Sequence, residues 1–417
     1  MPASFLLLLA AQFASALADN ALLIVTIDLL QQRAMPGWLA PMLKVAFIAA
    51  YVVLAPFVGP LADAFPKARL MAWMNGVKIC GVVALVAGLP PVAAFLVVGL
   101  GAAAYAPAKY GLATELVRPD QLVAANAWIE TAAVTAVLLG TGLGGFLVSP
   151  WLLAHASRIV ADAFDPVLPS LLIMLGVYLL AGALNLGVRD SGVRHAVGSL
   201  RPAAMLRDFA IANRRLWRDP EGGLSLGVTT IFWGVGATLQ FAVLRWAREC
   251  MHLTLDRAAL VQAAVAVGVV GGAVAAGRWV PLVHARRMLY AGVLFGVLMI
   301  AVPFITDLKL AVAVLVLVGA VGGLMVVPLN ALLQDRGNAL LSAGRSIAVQ
   351  GGNENASVLA CLGVYCALVW ANVPLETLIV GLGVSVAVAL AWMIRRQRSR
   401  ERLSAAQTDE WRAGANA

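Results

Sequence analysis

Five ionisable side chains interrupt stretches that are otherwise apolar: Asp19, Lys109, Glu130, Arg245 and Glu354. Amides stand near them, among them Asn20, Asn126, Gln240, Asn330, Gln334, Gln350, Asn353 and Asn355. A charge at the centre of a bilayer costs at least ~2.5–3.5 kcal/mol, so such groups face a cavity or one another. The acids suit an ammonium, and the bases with the amides suit a phosphate. The chemistry on offer is recognition of a zwitterionic head group. For any one of these residues the alternative is an internal salt bridge that only braces the bundle. Lys78, in "NGVKICG", and Lys44 read as bases that snorkel or pair locally. Asp28 is expected near a membrane surface.

The elements that position these groups are long apolar helices. The chain has 417 residues, 62% hydrophobic and 12% charged, with a mean hydropathy of +0.89. A soluble chain is about half apolar and about a quarter charged, so this composition defines a polytopic membrane protein. Apolar runs fall near 3–31, 37–62, 69–89, 91–113, 122–149, 167–188, 224–247, 257–277, 287–305, 309–333, 343–371 and 374–394. That is twelve spans, all α-helical, since each run is too continuously apolar for the alternating strands of a membrane barrel.

Charge orients them. Six arginines lie in the C-terminal stretch (Arg395, Arg396, Arg398, Arg400, Arg402, Arg412), and seven more in the loop between spans 6 and 7. Lys67, Arg69, Arg118, Arg278, Arg286, Arg287, Arg336 and Arg345 fall in loops on the same side, whereas the opposite loops hold Arg33, Arg158, Arg248, Arg257 and Lys309. The positive-inside rule places both termini and the middle loop in the cytoplasm. Ala16-Leu17-Ala18 imitates a signal-peptidase site, but no base precedes it and the apolar run resumes after Asn20, so an uncleaved first span is expected. The tail "RRQRSRER" reads as a topology signal and an anchor to anionic lipid.

The expected organisation is an N-terminal six-helix bundle (1–188), a cytoplasmic central loop (189–223), a C-terminal six-helix bundle (224–394) and a basic cytoplasmic tail (395–417). A weak repeat supports the division. Span 4 carries "GAAAYAPAKYGLATE" and span 10 "GGLMVVPLNALLQDR"; aligning Pro107 with Pro328 sets Lys109 opposite Asn330. Two related halves are a common build for a secondary transporter, with the site between them near the midplane.

Loop 2–3 reads "GPLADAFPKAR". This resembles the major facilitator superfamily signature, Gly-x-Leu-Ala-Asp followed by basic residues. Gly59 permits close helix approach, Asp63 can cap a helix end or pair across the halves, and Lys67 and Arg69 hold the loop inside. Ala64-Phe65-Pro66 departs from the usual Arg-x-Gly. The segments "AQFASALADNALL", "NGVKICG", "GAAAYAPAKYGLATEL", "FWGVGATLQF", "VVPLNALLQDRG" and "AVQGGNENA" look like those of the bacterial lysophospholipid transporters of that superfamily, through spans 1 to 11.

The resemblance implies movement of lysophosphatidylethanolamine and lysophosphatidylglycerol from the outer to the inner leaflet of the bacterial inner membrane. A cytoplasmic-side acyltransferase/acyl-carrier-protein synthetase would then re-acylate them, and the transporter would be a monomer without cofactor. It also places Asp19, Asn20 and Lys109 in the polar cavity. The full candidate set for the substrate is Asp19, Asn20, Lys109, Glu130, Gln240, Arg245, Asn330, Gln334, Asn353 and Glu354. One departure stands out: where the family reads Thr-Leu-Arg-Phe, this chain has Thr238-Leu239-Gln240-Phe241. Arg245, five residues on and about 140° round the helix, replaces that arginine imperfectly.

Two other classes compete. A proton-coupled exporter of drugs or metabolites would use the same signature and one membrane acid. An enzyme would need catalytic spacing that is missing: no HExxH, Walker A loop or GxSxG occurs. Nor does His-x4-Asp of glycerolipid acyltransferases, since His155 precedes Asp162 by seven residues and His252 precedes Asp256 by four. Cys80, Cys250, Cys361 and Cys366 form no CxxC and imply neither a disulfide framework nor a zinc site.

Overall fold

Continuous apolar runs leave the backbone one way to satisfy its polar groups inside a bilayer, and the described residues take it: they are long regular helices. The structure, a computed structural model, describes residues 2–36, 39–149, 152, 167–189, 192–193, 201–253 and 255–415. His155, Arg158, Asp162, Arg194 and His195 lie outside the described residues.

The spans of the first half are α1 (Ala3–Gln32), α2 (Leu39–Ala64), α3 (Lys67–Val86), α4 (Pro91–Leu116), α5 (Leu122–Leu147) and α6 (Leu168–Leu186). A surface helix follows, α7 (Pro202–Arg218). The second half is α8 (Pro220–Glu249), α9 (Leu255–Trp279), α10 (Leu289–Ala301), α11 (Leu308–Leu340), α12 (Ala343–Trp370) and α13 (Leu375–Ala415). Among the described residues eleven helices are long and apolar enough to cross a membrane. The twelfth span, α12, has the length, 28 residues, but its Asn353-Glu354-Asn355 run lowers its hydropathy.

Two expectations change. The middle loop contains α7, whose Phe209, Ala212 and Leu216 recur at helical spacing and pack with Leu226, Leu333 and Val349. The last span does not end near residue 394, because the helix runs on through the basic stretch to Ala415.

Local signals mark the helix starts. Proline occupies the first turn of α4, α6, α7 and α8, where its missing N–H costs nothing. Asp219 caps α8, accepting from the backbone N–H groups of Glu221 (3.2 Å) and Gly222 (2.7 Å). Arg336 of α11 donates to the same carboxylate at 2.9 Å and to Glu221 at 3.1 Å, and Arg286 pairs with Glu221. Partial burial alone would raise the Asp219 carboxyl; the Arg336 guanidinium and the Gly222 N–H outweigh it and hold the group below its ordinary value.

Within the first half α1 packs on α5 and α6, and α4 on α2 and α3. Within the second, α11 packs on α9, α13 on α10, and α12 on α8. Small residues set the closest crossings. Gly268 and Gly272 of α9 lie directly on the Val316 and Ala320 backbone of α11, where any Cβ would collide. The halves meet through α2 against α12 and α5 against α9. The N-terminal end of α1, the C-terminal end of α13, α7 and the α2–α3, α4–α5, α9–α10 and α11–α12 turns share one face, termed here the basic face.

Candidate functional site

A cavity of about 280 Å³ lies between the halves. Tyr51 of α2, Lys109 and Tyr110 of α4, Trp233 of α8, Asn330 of α11, and Gln350 and Glu354 of α12 give it its chemistry. The Gln350 Nε2 donates to Asn330 Oδ1 at 2.6 Å and to Glu354 Oε1 at 2.8 Å. Gln350 Oε1 is buried without a partner, so the amide offers an acceptor. The Lys109 ammonium sits 4.1 Å from the Tyr110 ring centroid and makes no ion pair within 4 Å among the described residues. Glu130 of α5, 4% exposed, is an opposite charge within electrostatic reach of Lys109. An available ammonium, a carboxylate and a free amide acceptor on an aromatic-lined wall match both ends of a zwitterion.

The structure separates Asp19 from this group. Asp19 Oδ2 accepts from Lys78 at 2.7 Å, and Oδ1 accepts from the Tyr178 hydroxyl at 2.7 Å. Lys78 also donates to Ser15 at 2.9 Å and stands over the rings of Tyr105 and Tyr178, 5.3 and 5.6 Å from their centroids. Ser15 in turn donates to Asn75 at 2.8 Å. Lys78 therefore does pair within its own half, but its partner is the acid expected to face the substrate. Asn20 turns back on its own helix, donating to the Ala16 carbonyl at 2.8 Å.

Other candidates part company too. Gln334 and Asn126 exchange reciprocal amide hydrogen bonds of 2.8 and 2.9 Å across the halves, both side chains buried. Asn353 faces α7: its Nδ2 donates to Asn213 at 3.0 Å and its Oδ1 accepts from the Trp217 indole at 3.1 Å. Gln240 is exposed on α8. Arg245 binds Glu249 at 2.6 Å near the end of α8 opposite the basic face.

The loop motif closes the basic face. Asp63, 1% exposed, accepts from the Ser342 hydroxyl and, at 2.9 Å, from the Gly344 N–H, so it caps α12 from the other half. Arg345 Nε stands 4.0 Å away. A Cβ on Gly59 would press on Ala348, and one on Gly344 would meet the Asp63 carboxylate. Lys67 is fully buried and pairs with Glu115 of α4 at 2.7 Å, while Arg69 is exposed.

Sequence reasoning missed Tyr51 and Tyr110 as cavity walls and Tyr178 as the second partner of Asp19. Aromatics in apolar helices carry no polar signal, and Tyr178 lies 159 residues from Asp19. No group of three or more metal-ligating side chains occurs among the described residues.

Eleven membrane-long apolar helices among the described residues, the capped α12 start and a polar cavity between two helical halves fit a membrane transporter. Residues 5–350 match the model of the Major Facilitator Superfamily, and the chain belongs to that family. It is 41% identical over 373 residues to the lysophospholipid transporter LplT of Yersinia pestis (strain Pestoides F), covering 89% of this chain and 88% of that one. The same figures hold for LplT of Yersinia pseudotuberculosis serotype O:3 (strain YPIII). Two solved structures share the fold. A variant of the E. coli fucose:proton symporter FucP aligns with a TM-score of 0.73 at 15% identity, over 94% of this chain and 98% of its own. A bacterial homologue of the iron transporter ferroportin in an outward-facing state gives 0.69 at 16%, over 95% and 100%.

Proposed function

We propose that this chain moves lysophospholipids across the bilayer, from the outer to the inner leaflet of a bacterial inner membrane. The observation that carries the reading is the 41% identity to lysophospholipid transporters across nearly nine-tenths of both chains. The cavity supports it: Lys109 and the amide wall suit the phosphate, and Glu354 with the Gln350 acceptor suits an ethanolamine ammonium or glycerol hydroxyls. Transport leaves the substrate covalently unchanged. The halves rock about the central joint, with 1–188 and 224–394 as the moving bundles, 189–223 as their link and 395–417 as a basic extension.

The positive charge of the basic face argues that it is cytoplasmic, with both termini inside. Delivery there hands a free sn-hydroxyl to a reaction that re-acylates it, and an acyltransferase/acyl-carrier-protein synthetase is the fitting partner. Re-acylation consumes the product and gives inward flow without requiring an ion. The protein acts as a monomer, since the cavity is complete within one chain.

The test is uptake of labelled lysophosphatidylethanolamine by proteoliposomes against empty liposomes, first without a gradient, then with proton or sodium gradients. Protein-dependent uptake without a gradient supports the reading. No uptake under any condition by folded, oriented protein would overturn it in favour of proton-coupled export of another compound.

A further inference from the structure

At the end opposite the basic face, α8 ends in a turn that builds a second basic pocket. His252 takes a left-handed backbone, φ 52°, and the Leu253 N–H bonds back to the Ala247 carbonyl at 3.1 Å. This bond satisfies an orphan carbonyl of the last turn and holds His252 beside it. Arg245, Arg248 and His252 lie along the turn, and Tyr365 of α12 completes a pocket of about 620 Å³ with an apolar floor from Phe241 and Leu253. Lys44 of α2 adds a cation from the other half, its Nζ 5.5 Å from the Phe241 ring centroid.

The Arg245 guanidinium, a third exposed, meets Glu249 and the Tyr365 hydroxyl but leaves one donor over. Its Nε binds Glu249, but its Nη1 is buried and has no hydrogen-bond partner. A buried donor left unmade is unfavourable, and a guanidinium fork fits a phosphate with two parallel donors. Glu249 is half exposed and free to turn to water when an anion arrives.

We propose that this pocket is a capture site for the phosphate of a single-chain phospholipid, occupied before the head group reaches Lys109. This rests on the lysolipid reading above. Arg245 supplies the directed donors, Arg248 and His252 close over the anion, and the Phe241 floor takes the glycerol and first methylenes. Inorganic phosphate offers the same anion without the apolar part.

The experiment uses the full chain in phosphatidylcholine proteoliposomes, with uptake of labelled lysophosphatidylglycerol measured against its concentration. For Arg245→Gln and, separately, Arg248→Gln, the expected result is a KM raised several-fold with Vmax kept within about two-fold, as for lost binding common to ground and transition states. Arg248 is exposed, so its variant tests the site even if Arg245→Gln folds poorly. Unchanged KM in both folded variants overturns the proposal, as does a fall in Vmax alone. Tryptophan fluorescence of the detergent-purified protein, titrated with inorganic phosphate and with lysophosphatidylglycerol, separates the sources. Saturation by phosphate that Arg245→Gln abolishes marks a general phosphate site; saturation by the lysolipid alone marks a lipid head-group site. Arg245-dependent binding in a protein that moves no lysolipid would sink the transport reading and leave the pocket standing. No Arg245-dependent binding of either probe would sink the pocket.

Discussion

Asp19 and Lys78 form a buried ion pair, Nζ to Oδ2 2.7 Å, between α1 and α3. Ser15 and Tyr178 supply further hydrogen bonds to it, so both charges are fully engaged. Removing one member of such a pair strands the other and costs roughly 3–5 kcal/mol. Lys78→Met is expected to lower the unfolding temperature of the detergent-purified protein sharply, and Asp19→Asn combined with Lys78→Met to recover most of it. A double variant no more stable than the single one would show that the pair does not brace the bundle.

Lys109 stands differently, because no carboxylate holds it within 4 Å among the described residues. Lys109→Ala is expected to reduce lysolipid uptake by at least ten-fold while leaving the unfolding temperature within a few degrees. Asp19→Asn should also lose uptake, but with lost stability, since it leaves Lys78 without a counter-ion. Normal uptake by Lys109→Ala would remove Lys109 from the site.

Asp63 holds α12 from the opposite half through the Ser342 hydroxyl and the Gly344 N–H. Asp63→Ala removes both acceptors and should loosen the basic face. The measurement is labelling of a cysteine placed at Ala343, beside but outside these two contacts, in a variant lacking the four native cysteines, by a membrane-impermeant maleimide applied from that face. Labelling several-fold faster than in the Asp63 parent is expected; equal rates would assign closure to other contacts.

Gln240 is exposed on α8 and carries no charge. Gln240→Arg should lower the KM for lysophosphatidylglycerol more than for lysophosphatidylethanolamine, because the added cation meets a net anionic head group. Competition between the two lipids in one uptake assay reads the ratio directly. An unchanged ratio would mean that position 240 does not meet the head group.

The spans were legible because apolar runs are local signals; α4 and α12 begin where the sequence puts them. The helical period in α7 was present, but in a stretch dominated by arginine it read as loop. Pairings were not legible. Asp19 lies 59 residues from Lys78, and Asn126 lies 208 from Gln334, so only the packed fold says which polar groups spend their hydrogen bonds on each other. Of the polar residues inside the spans, Lys109, Asn330, Gln350 and Glu354 line one cavity.

The Asn126–Gln334 bridge joins the halves with two neutral amides, each giving and taking one hydrogen bond. An elementary charge moved through the full membrane potential is worth about 2.3 kcal/mol per 100 mV. Opening this bridge displaces no net charge. The transmembrane voltage therefore does no work on these two hydrogen bonds themselves.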